Sequence, residues 1–395
     1  MKYDHDISIL QIIPESLLPA EEARKHSQRL RTHIDEVIEN AGGWIDFSRF
    51  MELLLYAPGL GYYAAGAVKL GALGDFTTAP EMTPLFARTL AHPVGRTLRE
   101  LEGRETSVLE LGAGSGQLAY DLLVALSQQQ QLPQHYFILE VSADLRQRQE
   151  EKLAQLPLAL KQRIEWLDHW PDSLEGVVLA NEVLDALPVQ RLRWSLGQWH
   201  QWGLALDSGK WLWQSRELSA DSALLAGLPM MSGYPEGYDT EVAPAIEGLM
   251  TLLGRTLAAG RAFFIDYGFP AREFYHPQRS GGTLMCHYRH HAHTDPLLFP
   301  GLQDVTAHVD FTRTAAVARA AGLQIESWQS QAAWLIEEGI TAELDRLNPE
   351  DVSAYFPEVS AVQKLLSPAE MGELFKVLVL GRGRESALAL SALGL

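Results

Sequence analysis

The chain has 395 residues, enough for two or three domain-sized units or for one enlarged core with additions. Its formal charge of −18, from 32 basic and 50 acidic side chains, would repel polyanions and argues against a general nucleic-acid binder. A single cysteine, Cys286, excludes an internal disulfide framework and fits a reducing compartment.

The N-terminal segment carries acidic residues from the fourth position on. It lacks the basic-then-apolar order of a signal peptide and the acid-poor, Arg- and Ser-rich character of a transit peptide. No apolar run reaches the length that a membrane span requires. We therefore expect a protein of the bacterial cytoplasm that neither inserts into a membrane nor binds nucleic acid.

Residues 1–104 are predicted to form an N-terminal helical and lid region. Apolar residues at helical spacing predict helices over 20–41 and 47–56. The stretch 71–86, GALGDFTTAPEMTPLF, has the composition of a loop followed by a helix that opens near Pro80. Two interpretations stay open for it: a capped helix with its loop, or a lid that faces a cofactor.

The remaining residues, 105–395, are predicted to form one core in which strands and helices alternate, as in a parallel sheet covered on both faces. The candidate strands are 107–111, 136–141, 163–167, 176–181 and 261–266, and the candidate helices are 117–129, 143–155 and 241–258. Ligands bind such sheets at the carboxyl ends of the strands. The polar residues expected to converge there are Glu110, Glu140, Asn181, Glu182 and the run 266–268.

Two inserts interrupt the alternation. The first, at about 189–235, contains five tryptophans and predicts an antiparallel β insert, either a partner-binding surface or a small satellite core. The second, at about 267–310, is rich in Gly, Pro and His and is long for a structureless loop, which suggests a functional segment. After it we predict a helix, a strand and further helices, and then a last strand at 376–383.

The stretch 108–119, VLELGAGSGQLA, runs from a buried strand through three glycines into a helix. Gly112, Gly114 and Gly116 permit positive φ and let a ligand touch the backbone beside the helix N-terminus. A dinucleotide turn, G-x-G-x-x-G, places its third glycine one residue later, and Glu110 suits a cationic amine better than a pyrophosphate. The pattern therefore argues against a nicotinamide-dependent oxidoreductase. The stretch could also be an ordinary glycine-rich turn between a strand and a helix, with no role in ligand binding.

Three further acids are candidate site residues. Glu140 ends the second strand, where it could accept hydrogen bonds from both ribose hydroxyls or simply be a solvated strand-end acid. Beyond the fourth strand, Asn181 is assigned to the cofactor side, and Glu182 and Asp185 are assigned to the acceptor side. Paired carboxylates can hold a guanidinium bidentately, although Asp185 could instead cap a turn.

The run 286–293, CHYRHHAH, lacks the spacing of a structural zinc site, so we predict no metal. Its histidines and Arg289 could instead line the acceptor pocket or form a hydrogen-bonded loop.

Several motifs occur together in a fixed order. They are GDFTTAPEMTPLF (74–86), LELGAGSGQLAYDLL (109–123), ILEVSADLRQRQ (138–149), LANEVLDALPVQ (179–190), IDYGF (265–269), GGTLMCHYRHHAH (281–293) and PGLQDVTAHVDFT (300–312). The second resembles the first motif of class I S-adenosylmethionine-dependent methyltransferases, E/D-x-G-x-G-x-G. Together the motifs, over about 25–385, resemble the MidA family, whose mitochondrial members assist respiratory complex I assembly by methylating an arginine of one subunit.

The resemblance implies a class I methyltransferase Rossmann-like α/β sheet, mostly parallel with a final antiparallel strand. It implies S-adenosyl-L-methionine as cofactor, held by Glu110, the three glycines and Glu140, and a protein arginine acceptor, in a respiratory-complex subunit for example. Glu182 and Asp185 would orient and polarise that arginine during in-line SN2 methyl transfer. The alternative is an assembly or partner-binding factor that retains the fold without catalysis.

Overall fold

A computed structural model of the chain describes residues 18–65, 78–229 and 233–383. The first 17 residues of the N-terminal region, and residues 71–77 of the stretch interpreted as a loop or lid, lie outside the described residues.

Helices and strands alternate through most of the described chain. The helices are α1 (Glu21–Asn40), α2 (Phe47–Tyr56), α3 (Ala79–Met82), α4 (Pro84–Glu100), α5 (Gln117–Gln128), α6 (Ala143–Leu153), α7 (Leu158–Lys161), α8 (Pro244–Thr256), α9 (Ala271–Phe274), α10 (Phe311–Ala320), α11 (Gln331–Glu337), α12 (Ile340–Asp345) and α13 (Val352–Leu366). The strands are β1 (Trp44–Asp46), β2 (Ser107–Leu111), β3 (His135–Leu139), β4 (Ile164–Leu167), β5 (Leu174–Asn181), β6 (Gln190–Ser195), β7 (Gln198–Asp207), β8 (Lys210–Glu217), β9 (Tyr238–Val242), β10 (Leu257–Phe269), β11 (Met285–Tyr288), β12 (His291–His293), β13 (Asp304–Thr306), β14 (Val309–Asp310), β15 (Gln324–Ser330) and β16 (Phe375–Arg382).

The main sheet has the strand order β15-β16-β10-β5-β2-β3-β4, with β14 paired to the end of β10. Neighbouring strands from β10 to β4 are parallel, whereas β16 is antiparallel to both β10 and β15. This order and the single reversed strand confirm the predicted class I methyltransferase sheet. All five core strands occur where the sequence predicts them, with ends shifted by a few residues.

Successive side chains of the central strands point to opposite faces of the sheet, and both faces are covered by helices. In β2 and β5, Val108 and Val177 pack into a core with α4 and α5, whereas Leu109 and Val178 pack into a second core with α8 and α10. All four side chains are inaccessible to solvent. Because side chains alternate between faces at every residue, an almost continuous apolar run is required in such strands.

The first insert forms an antiparallel sheet in which β7 pairs with β1, β6 and β8, and β6 pairs with β9. Trp202, Trp211 and Trp213 are buried in one apolar cluster with Leu30 and Ile34 of α1. These three tryptophans therefore form a satellite core, one of the two interpretations of the insert, and do not form an exposed surface. The predicted helix 241–258 is also wrong at its start, because β9 precedes α8.

The second insert extends from the end of β10 and contains more regular structure than its composition indicates. Its strands β12, β11 and β13 form a small antiparallel sheet. At the end of the insert, Asp310 caps α10 by accepting a hydrogen bond from the Arg313 N–H. Among the described residues, no helix has both the length and the apolarity to cross a membrane.

Candidate active site

A cavity of about 910 Å³ opens at the carboxyl ends of β2, β3 and β5. Its size is within the range of small-molecule and cofactor sites. Seven of the eight predicted site residues line it: Glu110, Gly112, Gly114, Glu140, Asn181, Glu182 and Asp185. Gly116 is not among its lining residues, but it begins α5 as the N-cap residue.

The glycine turn adopts the conformation that its three glycines predict. Gly112, Gly114 and Gly116 have φ of 60°, 55° and 84°, a region that side-chain-bearing residues rarely adopt. A Cβ on Gly116 would lie 3.3 Å from the Cα of Gln149, so this glycine permits close packing on α6. The turn thus leaves backbone atoms of Gly112 and Gly114 at the cavity wall.

Glu110 is 3% exposed and accepts a hydrogen bond from the Tyr136 hydroxyl at 2.7 Å. Burial raises the pKa of Glu110 to about 7, with a smaller contribution from the charge of Glu140 and opposition from the Tyr136 hydrogen bond. An adjacent ammonium group would favour the carboxylate form. The environment therefore suits a carboxylate that pairs with a buried amine.

Glu140 is held by two donors from the segment that follows β3. Its Oε1 accepts from the Ser142 N–H at 2.9 Å, and its Oε2 accepts from Gln149 Nε2 at 2.9 Å. The same Gln149 amide donates to the Gly114 carbonyl at 3.0 Å and accepts from Trp166 Nε1 at 3.0 Å. Gln149, which is fully buried, therefore ties the glycine turn to Glu140. The sequence motifs did not indicate this role.

Glu182 has φ of 53°, a left-handed conformation that costs about 1–2 kcal/mol for a residue with a side chain. Its N–H donates to the Ile265 carbonyl at 2.8 Å, directly after the last pair of the β5–β10 ladder, and this bond holds the strained backbone in place. Burial raises the pKa of Glu182 to about 8, and the nearby charge of Asp185 adds to the shift. Strained positions and perturbed acids of this kind are concentrated at functional sites.

Asp185 is 5% exposed and lines the cavity. Its Oδ2 accepts a hydrogen bond from the Tyr267 hydroxyl, whereas its buried Oδ1 has no hydrogen-bond partner within the described residues. Burial raises the pKa of Asp185 to about 6, while the Tyr267 hydrogen bond and the nearby backbone N–H groups of Ala186 and Asp185 itself oppose the shift. Asp185 is therefore a buried acid with unused acceptor capacity at the cavity wall.

Asp266 has a different place from the other strand-end acids. It is 1% exposed and does not line the cavity. Its Oδ2 accepts hydrogen bonds from the backbone N–H groups of Val183, Leu184 and Asp185, at 3.1, 2.8 and 3.3 Å. The predicted convergence on the crevice is therefore wrong for Asp266, which instead supports the turn that carries Asp185.

Three further side chains, which the sequence analysis did not assign to the site, line the same cavity: Tyr56, Tyr63 and Asp304. Tyr56 ends α2, Tyr63 follows in the next loop, and Asp304 begins β13. Asp304 lies in the motif 300–312, but it is 241 positions from Tyr63, so the local sequence did not indicate that the two residues meet. Of the four histidines in the 286–293 run, His287 lines the cavity.

Acidic side chains dominate the charge of the cavity wall. Its acidic residues are Glu52, Glu81, Glu110, Glu140, Glu182, Asp185 and Asp304. Within the described part of the chain, neither Lys nor Arg lines it. Such a wall favours cationic ligands through its summed negative potential. In residues 18–65, 78–229 and 233–383, no group of three or more His, Cys, Asp or Glu side chains could hold a metal ion.

Comparisons with known proteins agree with this arrangement. A family model of S-adenosyl-L-methionine-dependent methyltransferases matches residues 89–328. A solved structure from Burkholderia thailandensis, bound to S-adenosyl-homocysteine, is 45% identical, with a TM-score of 0.88 over 95% of this chain and 97% of that chain. A Drosophila melanogaster protein named "Protein arginine methyltransferase NDUFAF7 homolog, mitochondrial" is 27% identical, covering 86% of this chain and 82% of its own. The Danio rerio protein with the corresponding name is 26% identical, with 85% and 83% covered.

The lining residues fit S-adenosyl-L-methionine by their own chemistry. That molecule carries an ammonium group, a sulfonium and two ribose hydroxyls. Two acids stand at the ends of neighbouring strands, Glu110 on β2 and Glu140 just after β3, and the glycine turn lies beside them. The buried Oδ1 of Asn181, a residue of the same cavity wall, has no hydrogen-bond partner among the described residues. The cofactor of this protein is S-adenosyl-L-methionine.

Proposed function

This chain belongs to the MidA family of S-adenosyl-L-methionine-dependent methyltransferases, and we propose that it methylates an arginine of a protein. The main support for this proposal is the acidic cavity wall around Glu182 and Asp185. No Lys or Arg among the described residues lines that wall. A guanidinium is a planar cation that two carboxylates can bind bidentately. The names of the Drosophila and zebrafish relatives support the same acceptor class.

The cofactor end would be held by residues of the strand ends and the glycine turn. We assign Glu110 to the amino group and Glu140 to the ribose hydroxyls. Gly112 and Gly114 admit the cofactor to the backbone, and Asn181 completes this side of the cavity. When bound, S-adenosyl-L-methionine supplies an electrophilic methyl group on a positively charged sulfur.

The acceptor end would orient the guanidinium and remove its proton. In-line SN2 transfer needs the nitrogen, methyl carbon and sulfur to be collinear, and such positioning can contribute roughly 7–11 kcal/mol at best. A guanidinium is protonated at neutral pH. Methylation therefore leaves one proton to be lost, and we assign a carboxylate oxygen of Glu182 to accept it, with Asp185 stabilising the cation. The base need not be strong if the proton leaves after methyl transfer.

The proposal is tested by supplying the purified protein with isotope-labelled S-adenosyl-L-methionine and a lysate from cells that lack its gene. We expect labelled methyl groups on arginine side chains of one or a few proteins, located by mass spectrometry. A respiratory-complex subunit is the first acceptor to examine. Label on a residue type other than arginine would contradict the proposal. Cofactor binding without labelling of any protein would favour the non-catalytic assembly factor.

A further inference from the structure

We propose that Tyr56, Tyr63 and Asp304 form a cradle that recognises the acceptor's guanidinium together with Glu182 and Asp185. The inference rests on the proposed function and deepens it, because it names the residues that select a guanidinium over other cations. Tyr56 and Tyr63 belong to the N-terminal region, and Asp304 belongs to the second insert. None of the three lies at the strand ends that supply the candidate acids of the sequence analysis.

The rings of Tyr56 and Tyr63 are stacked at the cavity wall. Their centroids are 5.6 Å apart, and their planes differ by 23°. The Tyr56 hydroxyl donates to the Ala186 carbonyl at 3.0 Å, and the Tyr63 hydroxyl donates to Asp304 Oδ1 at 3.0 Å. Tyr56 is thereby fixed to the turn that carries Asp185, and Tyr63 is fixed to Asp304. Aromatic faces held in this way can stack on a guanidinium plane.

Negative charge surrounds this aromatic surface. Burial raises the pKa of Tyr56 above its ordinary value, and the charges of Asp304, Asp185 and Glu140 add to the shift. The ring therefore stays neutral while several carboxylates near it face the cavity. Asp304 itself is only 3% exposed. A cation bound beside the two rings would be favoured by these carboxylates.

The unpartnered oxygen of Asp185 is a second, independent sign of a ligand. This atom is buried at the cavity wall and lacks a hydrogen-bond partner within the described residues. A guanidinium carries five N–H donors in one plane, enough to serve Asp185 and Asp304 while its face stacks on a tyrosine. An ammonium group has three donors but no plane to stack. The cradle should therefore prefer a guanidinium to an ammonium of similar size.

The loop that carries Tyr63 is anchored to the cofactor end. A Cβ on Gly61 would lie 2.6 Å from backbone atoms of α2, so only glycine lets the chain return so closely to that helix. The Tyr63 carbonyl accepts a hydrogen bond from Ser142 Oγ. Because the Ser142 N–H donates to Glu140, one residue links the cradle to the proposed ribose acid. The cradle is thus positioned relative to the cofactor.

The test measures binding of ethylguanidinium to the full-length protein saturated with S-adenosyl-homocysteine, by calorimetry, with ethylammonium as the comparison cation. We expect wild type to bind ethylguanidinium more tightly than ethylammonium. Asp304→Asn should weaken ethylguanidinium binding about tenfold, and Tyr56→Leu should reduce the preference between the two cations. Tyr63→Phe, which keeps the ring, should have a smaller effect.

Asp207→Asn is the matched control, because it removes the same charge from the exposed end of β7 in the first insert. It should leave both cation affinities unchanged. Melting temperature and S-adenosyl-homocysteine affinity confirm that each variant is folded. With the identified protein acceptor, Asp304→Asn should raise KM more than it lowers kcat.

Two results would overturn the cradle: equal binding of both cations by wild type, or wild-type ethylguanidinium affinity in both Asp304→Asn and Tyr56→Leu. The proposed function has a separate test, because labelling of protein arginine does not depend on these variants. Arginine labelling with unchanged KM in the cradle variants would refute the cradle alone.

Discussion

The two ends of the cavity are built in different ways. The proposed cofactor end comprises residues 110–116 and Glu140, which lie at the ends of the neighbouring parallel strands β2 and β3 and are joined by Gln149. The acceptor end brings together segments as distant as Tyr63 and Asp304, which are separated by 241 positions. The cofactor end depends on the backbone conformation of one short motif. The acceptor end depends on side chains that come together only when the whole chain is folded.

The two ends also differ in how their carboxylates are hydrogen-bonded. At the cofactor end, Glu110 and Glu140 accept hydrogen bonds from Tyr136, Ser142 and Gln149. At the acceptor end, one oxygen of Asp185 has no hydrogen-bond partner within the described residues. We infer that the acids of the proposed cofactor end are largely preorganised by hydrogen bonds, whereas a cation at the proposed acceptor end would serve the open oxygen of Asp185.

The largest expected effect is at the cofactor end, from Gly112→Val. Gly112 has φ of 60°, and even a Cβ there would lie 3.4 Å from Val183 Cγ2. A branched side chain would strain the turn and occupy cofactor space. Calorimetry should show that S-adenosyl-homocysteine binding is lost.

The control for that variant is Gly197→Val. Gly197 has φ of 79° and lies in the turn between β6 and β7, where a Cβ would meet nothing within 4 Å. The variant should suffer comparable backbone strain without losing cofactor affinity. Unchanged affinity in Gly112→Val would refute the assignment of the glycine turn.

A smaller effect is expected from Glu140→Ala. Loss of hydrogen bonds to a charged group should weaken S-adenosyl-homocysteine binding by about 1.5–3 kcal/mol. Glu165→Ala removes an exposed acid from the adjacent strand β4 and should leave the calorimetric affinity unchanged. If the two variants bind equally well, Glu140 is a solvated strand-end acid.

The smallest effect concerns the pH dependence of stability without ligands. The pKa of Glu182 is raised from 4.5 to about 8 in the folded protein, so the folded state binds more protons than the unfolded state between those values. Its contribution to stability therefore falls as pH rises through that window. Glu182→Gln removes this penalty, and its melting temperature relative to wild type should increase by a few degrees from pH 5 to pH 8.

Glu236→Gln provides the comparison for the pH experiment. Glu236 is exposed beside the first insert, and a hydrogen bond from Ser195 lowers its pKa. Its replacement should not reproduce the rise of melting temperature with pH. A difference between Glu182→Gln and wild type that is constant from pH 5 to pH 8 would contradict the raised pKa.

The sequence predicted that the proposed cofactor residues come together, because its signals there are local. A buried strand, a glycine turn and a helix are contiguous in 108–119, and parallel strands bring Glu110 and Glu140 to one edge. The same logic placed Asn181 and Glu182 at the cavity. The prediction was wrong for Asp266. Hydrophobic periodicity identifies where a strand ends, but it does not show whether the last side chain faces a cavity or a neighbouring turn.

The acceptor end was predictable only in part. Tyr56 lies at the end of an amphipathic helix whose pattern indicates packing, and Asp304 begins a three-residue strand inside an insert. Nothing in either segment indicates the other.

The strand β9, YDTEV, was missed because its buried acids break the usual apolar alternation. Asp239 pairs with Arg191 and Arg193, and Glu241 accepts hydrogen bonds from Thr283. Each acid is therefore compensated by a partner from another segment, which a pattern within the strand cannot reveal.

The division between the two ends is tested most directly by Glu182→Gln and Asp185→Asn, alone and combined. Each preparation is measured twice, by calorimetry with S-adenosyl-homocysteine and by methyl transfer to the identified protein acceptor. We predict cofactor affinity within a few-fold of wild type, with methyl transfer reduced by roughly 10²-fold or more in the double variant. Wild-type turnover in the double variant, or loss of cofactor affinity in parallel with turnover, would contradict the account.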